Sequence, residues 1–271
     1  MKRFLYISII LISGLLNSCT KEIDIELEEG ERRLVVDCWF TTDTTEHVVK
    51  LTQTSNYFSQ EAAPKVSGAS VQIIGGGDVW DFTEVEPGLF KSSVMAHAKM
   101  GNEYTLSIDY EGQNYTATDF CDTVPNLDNL DLYYNDHPEN PWYDLLIWTT
   151  ELSGYGHWYC WRTLVNGEYV RDTLSEISFD SDEYLGNGLT FEAFPIEWIY
   201  ADLVVPGDTI TLEQHNISKQ TYDAFEAILT ETEWKGGIFD SPPANIESNI
   251  SNNGLGVFLV SSVHTRSVIV P

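Results

Sequence analysis

"YTLSIDYEGQNYTATDF" spans Tyr104–Phe120. Tyr104, Leu106, Ile108 and Tyr110 occupy alternate positions, and Thr105, Ser107 and Asp109 fill the gaps. A period of two belongs to a strand with one face on a core and one face in water. Glu111-Gly112 interrupts the pattern with a pair suited to a tight turn, and "NYTATDF" (Asn114–Phe120) resumes it in β-favouring residues. The stretch reads as an antiparallel hairpin, and the same reading extends upstream. "LVVDCWFT" (Leu34–Thr41) is β-rich, and "VVKLTQT" (Val48–Thr54) alternates. "SVQII" (Ser70–Ile74) meets Gly75–Gly77, and "VWDFTEV" (Val79–Val85) follows. Short strands with no helical period between them predict an immunoglobulin-like antiparallel β-sandwich over residues 32–122. Three glycines in a row also suggest a phosphate loop. No Lys-Ser/Thr follows them and no helix opens there, so they predict a hairpin connection.

"DTVPNLDNLD" (Asp122–Asp131) carries a proline and repeated Asn and Asp, which favour turns, and marks the boundary to a second region over 123–271. Strands are predicted at "LDLYYN" (Leu130–Asn135), "YDLLIWTT" (Tyr143–Thr150), "HWYCWRTLV" (His157–Val165) and "DTITLEQHNI" (Asp208–Ile217). Asn166-Gly167 is a hairpin turn into "EYVRDTL" (Glu168–Leu174). The acidic, turn-rich "SEISFDSDEYLGNG" (Ser175–Gly188) reads as an exposed loop. One helix is predicted at about 218–234. Ser218 is its N-cap, Tyr222, Phe225, Ile228 and Leu229 form an apolar stripe, and Gly236-Gly237 stop it. That stripe is expected to pack on a sheet. "LGVFLVSSVHTRSVIVP" supplies one or two closing strands. The second region is therefore β-rich with one packed α-helix. Its boundary with the first has few flexible residues, so the two are expected to pack together.

The start of the chain has a different logic. Lys2 and Arg3 precede an apolar run from Phe4 to Leu16, which is signal-peptide length and short of the roughly 20 residues that span a membrane. Leu16-Asn17-Ser18-Cys19 resembles a bacterial lipobox, in which the thiol receives a diacylglycerol and becomes the first residue of the mature protein. Residues 1–18 are thus expected to be a lipoprotein signal peptide, Cys19 the lipidated residue, and 19–31, ending in "IDIELEEGE" (Ile23–Glu31), an acidic tether. Multiple acyl chains meet the two-signal requirement for stable anchoring. Thr20, rather than aspartate, follows the cysteine, and "CTKEID" resembles surface-export signals. The expected location is the outer membrane, facing outward, with the periplasmic face as the alternative.

Across 271 residues, 14 Lys and Arg face 42 Asp and Glu, for a net charge of −28. Such a surface repels nucleic acid and anionic lipid headgroups. With 8 Trp and 14 Tyr the chain has ample material for a core, which argues against disorder.

"RLVVDCWFT" (Arg33–Thr41), "VKLTQTSNYF" (Val49–Phe58), "VSGASVQI" (Val66–Ile73), "PGLFKS" (Pro87–Ser92), "GNEYTLSIDYEGQNYTAT" (Gly101–Thr118) and "SPPANIESNISNNGLGVFLVSSV" (Ser241–Val263) follow one another along the chain. In them the chain resembles a family of bacterial surface-type lipoproteins known as domain-of-unknown-function family 4249. The order and spacing of these segments carry the resemblance across nearly the whole mature chain. One departure is Cys38, where a small residue is expected. The resemblance implies association with the outer membrane, frequently beside TonB-dependent receptors, and brings no catalytic residues.

A search for chemistry finds no compact motif. His47, His97, His137, His157, His215 and His264 form no HExxH, and no two lie three to five residues apart. No G-x-S-x-G occurs. Around Asp180, Asp182 and Glu183 an EF-hand fails, because its fifth, sixth and twelfth positions are Tyr184, Leu185 and Phe191. No catalytic residue, metal site or cofactor is expected. Trp142 and Trp158 are candidate exposed rings for stacking on a ligand. Cys38 and Cys121 could form a disulfide if their strands are neighbours, with Cys160 a buried small residue. Three functions compete: a non-enzymatic accessory partner of a TonB-dependent transporter in nutrient uptake, a surface glycan-binding or adhesion module, and a hydrolase with a spatially assembled acid pair.

Overall fold

The first seven strands are β1 (Leu34–Thr41), β2 (Val48–Gln53), β3 (Ser70–Gly75), β4 (Asp78–Glu86), β5 (Leu89–Ser92), β6 (Asn102–Tyr110) and β7 (Gln113–Cys121). The β6–β7 hairpin turns at Glu111 (φ 50°) and Gly112 (φ 75°), both left-handed, as a two-residue turn matched to strand twist requires. Tyr110 pairs with Gln113, so the register follows from the turn. Gly76 and Gly77 make the corresponding β3–β4 turn, as expected of a hairpin connection.

This computed structural model describes residues 31–55, 59, 61–171, 173–185, 187–233 and 248–271. The signal peptide, Cys19, the tether up to Gly30 and the helix stop at Gly236-Gly237 lie outside the described residues. Residues 32–271 form one unit.

The second region adds β8 (Leu127–Asn135), β9 (Trp142–Thr150), β10 (Trp158–Val165), β11 (Glu168–Tyr169) and β12 (Ser178–Ser181). A single turn, α1 (Asp182–Leu185), and a long strand, β13 (Thr190–Tyr200), come next. They are followed by β14 (Thr209–Ile217), α2 (Lys219–Glu233), β15 (Leu255–Ser261) and β16 (Val263–Ile269). Thr221 N–H donates to Ser218 Oγ at 3.2 Å, so Ser218 caps α2 as predicted. Among the described residues no helix is long and apolar enough to cross a membrane.

The fold is mainly β, a sandwich architecture with one packed helix. An eight-stranded sheet runs β15-β1-β2-β5-β4-β3-β6-β7. Its β1–β15 pair is parallel, and the other described strand pairs of the protein are antiparallel. The sheet bends until its two edges meet: Val260 N–H on β15 donates to Asp119 Oδ2 on β7 at 2.8 Å. Closing the seam leaves little free edge for another chain. Inside, Phe40, Leu51, Ile73, Phe90, Tyr104 and Phe258 are fully buried. Each contributes about 1.5–3 kcal/mol by leaving water.

The body that the sequence places over 32–122 thus takes its last strand from residues 255–261. Gly256 permits this. Its φ is +92°, and a Cβ there would stand 1.9 Å from the Val36 carbonyl oxygen.

The second region is layered. The sheet β11-β10-β14-β16, with β12 also on β10, lies between two partners. One face packs on the three-stranded sheet β13-β9-β8 through Tyr159, Trp161, Ile210 and Leu212 against Leu127, Leu145, Ile147 and Ile199. The other face meets α2 and the outer side of β1 and β15 through Cys160, Ile217, Phe225 and Leu259, with Trp39 beside them. A strand between two layers is apolar on both faces, which is why "WYCW" lacks a clean alternation.

Three expectations are corrected. β8 starts at Leu127, inside the stretch read as a linker, so the connection is residues 122–126. β13 was not predicted; Pro195 and two register shifts break its alternation, and it survives because it is an edge strand. The segment read as an exposed loop contains β12 and the buried Ser181 and Asp182.

Candidate functional site

Two places in the layered region combine chemistry with access. The first is the outer face of β8, β9 and β13. In antiparallel sheets, directly opposed residues share a face. Tyr133 opposes Asp144, which opposes Trp198; Asn135 opposes Trp142, which opposes Tyr200. Their inner-face counterparts Leu145, Ile147 and Ile199 are buried, so these two rows point outward. Tyr133 is 59% exposed, and Trp198 and Tyr200 are each 41% exposed.

The outward side chains are held in place. Trp142 Nε1–H donates to Asp144 Oδ1 at 2.8 Å, and Asn135 Nδ2 donates to Asp144 Oδ2 at 2.8 Å. Trp198 and Tyr200 meet edge to face at 4.6 Å between ring centres. The Arg171 guanidinium lies 4.4 Å over the Trp198 ring, bonds Glu197 Oε2 at 2.9 Å and donates to the Trp198 carbonyl at 2.9 Å. Aromatic rings that would otherwise rotate are thereby fixed before any partner arrives.

Trp142, singled out from the sequence, belongs to this face; Trp158 does not. Trp158 is half-buried against Cys160, Ile217, Phe225 and Leu259. Trp198 and Tyr200 were missed because they sit on the unpredicted β13.

The second place is where the β9–β10 connection meets α1. Asp182 is buried at the first position of α1. Its Oδ1 accepts Gly156 N–H at 2.9 Å and His157 N–H at 3.1 Å. Its Oδ2 lies 2.9 Å from His157 Nδ1. Glu151 Oε1, 3.8 Å from the same nitrogen, accepts Leu152 N–H at 2.9 Å and the Tyr159 hydroxyl. Burial, then the bond to Glu151, pushes the Tyr159 phenol far above the ordinary tyrosine range, so it stays a donor. A cavity of about 30 Å³ opens beside them, bounded by Glu151, Tyr159, Ser181, Asp182 and Gln214. Glu151, His157 and Asp182 together offer one nitrogen and two oxygens that a metal ion could use. The EF-hand count around Asp180 missed this set because its members lie 25 and 31 positions from Asp182, in another connection.

The Cys38–Cys121 bridge that the sequence left open, on condition that the two strands are neighbours, is not made. Cys38, Cys121 and Cys160 are free and buried. Cys38 pairs laterally with Val49 and Phe258, and Cys121 with Asn102, so their strands are not neighbours in the sheet. Burial pushes the thiols of Cys121 and Cys160 up to about 12. They behave as small apolar side chains.

The described residues thus form a β-sandwich body with an open aromatic face on β8, β9 and β13. The sequence profile of the family described as "Domain of unknown function (DUF4249)" matches residues 20–267, and the chain belongs to that family. Among curated proteins nothing matches. Among solved structures, a two-domain fibronectin type III segment of chicken tenascin is similar. It is 12% identical, with a TM-score of 0.21 over 69% of this chain and 92% of that one. The fold assignment rests on the sheets themselves.

Proposed function

We propose that this protein is a lipid-anchored, non-enzymatic accessory subunit at the outer membrane that docks on a TonB-dependent transporter and serves nutrient uptake. The observation that carries this reading is the fixed aromatic face of β8, β9 and β13. Preformed Trp and Tyr side chains are the residues that dominate binding energy at protein interfaces. The occupant is inferred from the other end of the chain. A lipidated Cys19, joined to the body by the acidic tether, would hold that face close to outer-membrane proteins at high effective concentration. The company implied by the family resemblance supports the same partner.

The test is affinity purification of the full-length protein in mild detergent. One TonB-dependent receptor should co-purify in near-stoichiometric amount, and replacing Trp142, Trp198 and Tyr200 together with alanine should release it. Deleting either gene should produce the same nutrient defect. Recovery of no barrel protein by the wild type would overturn the reading.

A second reading is favoured by one detail. Trp142, Asp144 and Asn135 place a ring beside two fixed hydrogen-bonding side chains, an arrangement that suits a sugar ring. Retention on an immobilised polysaccharide, lost with Trp142→Ala, would support a glycan-binding module. The hydrolase reading has less to work with. One enclosed acid pair is Glu151 and Asp182, and the Asp182 side chain is 0% exposed with both oxygens occupied.

A further inference from the structure

We propose that Glu151, His157 and Asp182 bind one divalent first-row transition-metal ion, of which zinc fits best. The donor atoms are His157 Nδ1, Asp182 Oδ2 and Glu151 Oε1. The nitrogen lies 2.9 Å from the first oxygen and 3.8 Å from the second, and the donors of the set lie within 4.8 Å of one another. Those separations admit a point about 2.0–2.4 Å from each, the length of zinc–nitrogen and zinc–oxygen bonds or slightly more. An imidazole with two carboxylates suits zinc and its neighbours, whereas calcium and magnesium prefer oxygen throughout.

Three further features point to a cation. The first is charge. Glu151 is 11% exposed and Asp182 0%, and among the described residues their ion-pair partner is His157 alone. Two enclosed carboxylates with one imidazole keep a net negative charge even when the imidazole is protonated, and a buried unbalanced charge is costly. A divalent ion with neutral His157 brings the set to zero.

The second feature is orientation. Gly156 and His157 N–H groups hold Asp182 Oδ1 and so turn Oδ2 toward the imidazole. At Glu151 the Leu152 N–H and the Tyr159 hydroxyl bond Oε1 itself and so fix the position of the atom offered to the metal. Outer hydrogen bonds of this kind fix metal ligands.

The third feature is the cavity of about 30 Å³ against both carboxylates, enough for one or two waters to complete the coordination. On binding, His157 presents the Nδ1 lone pair to the metal and carries its proton on Nε2. The bond between Nδ1 and Asp182 Oδ2 is exchanged for two metal–ligand bonds.

The competing arrangement is a protonated imidazole bridging the two carboxylates without a metal. Full-length protein in detergent, stripped with a chelator, would be titrated with zinc against a competing chromophoric chelator. Excess magnesium would occupy the acidic surface. The expected result is one equivalent bound, weakened at least tenfold by Glu151→Gln and by His157→Gln, with zinc raising the melting temperature of the wild type alone. Asp182→Asn keeps an acceptor for the two backbone donors and should lose zinc while staying folded.

Wild-type measurements keep the proposal falsifiable if the variants unfold. Cobalt should give a visible band, and nitrogen NMR should show His157 Nδ1 without a proton in the presence of zinc. Folded wild type with no saturable site would overturn the proposal. So would equal affinity in the Glu151→Gln/His157→Gln double variant, or a retained Nδ1 proton in excess zinc.

Discussion

In the eight-stranded sheet the interior is Phe40, Leu51, Ile73, Phe90, Tyr104 and Phe258; in the layered region Asp182, Glu197, Gln214, His215 and Asn216 are buried as well. The first body buries fewer: His47 lies against the Asp43 and Ala96 carbonyls, and Asp119 fastens the seam. The second spends many such groups. Gln214 joins the Trp161 indole to the Pro125 carbonyl, Glu197 holds Arg171, and Asp182 organises a connection. A bent sheet closed on itself satisfies its backbone through its own ladder, so side chains can be apolar. Layers joined by irregular connections leave backbone donors and loop ends that side chains must satisfy. The layered region therefore buries more hydrogen-bonding side chains than the closed sheet does.

The largest effect is expected at the strand the two regions share, β15. Gly256→Val should cost more than about 4 kcal/mol or prevent folding, because its Cβ meets the Val36 backbone at a left-handed φ. Gly112→Ala, with nothing within 4 Å, should cost only about 1 kcal/mol. Urea denaturation of both checks the contrast, and similar losses would mean that β15 is not integral to the first body.

Alkaline pH compares the two interiors directly. Folded Cys121 and Cys160 keep their protons to about pH 12, against 9.0 for an ordinary thiol. Between those values the unfolded chain releases protons that the folded chain retains, so stability falls as pH rises and is unaffected by these groups below pH 9. Each thiol should contribute a slope of about 1.4 kcal/mol per pH unit above that point. Cys121→Ala in the first body and Cys160→Ala in the second should each remove one such slope in denaturation series from pH 8 to 11.

Smaller effects sharpen the picture. Ser218→Ala removes the cap of α2 and should cost about 1 kcal/mol in the same assay. Trp198→Ala on the open face should change stability by less than about 1 kcal/mol, since the ring is 41% exposed, while capture of the partner falls. A large stability loss there would mean that the face is structural.

Period-two patterning and turn pairs were enough for two hairpins of the closed sheet, β3–β4 and β6–β7, though not for β5 or for the return of β15. Tyr104–Tyr110 with Glu111-Gly112 fixed one hairpin, Gly75–Gly77 another, and Ser218 the start of the helix. These signals are local: they depend on neighbours two to four positions away. Family membership was legible for a related reason, because the order of such segments is itself sequence information.

Tertiary structure decided the rest. It returned residues 255–261 to pair with β1 and kept Cys38 and Cys121 apart. It sent Trp158 inward while Trp142 joined Trp198 and Tyr200 on one outward face. It also moved Asp182 from an apparent acidic loop to the side of His157 and Glu151. The physical reason is the same each time. Which residues meet across layers depends on strand order and on what covers each face, and alternation along one strand names two faces without saying which of them will see water.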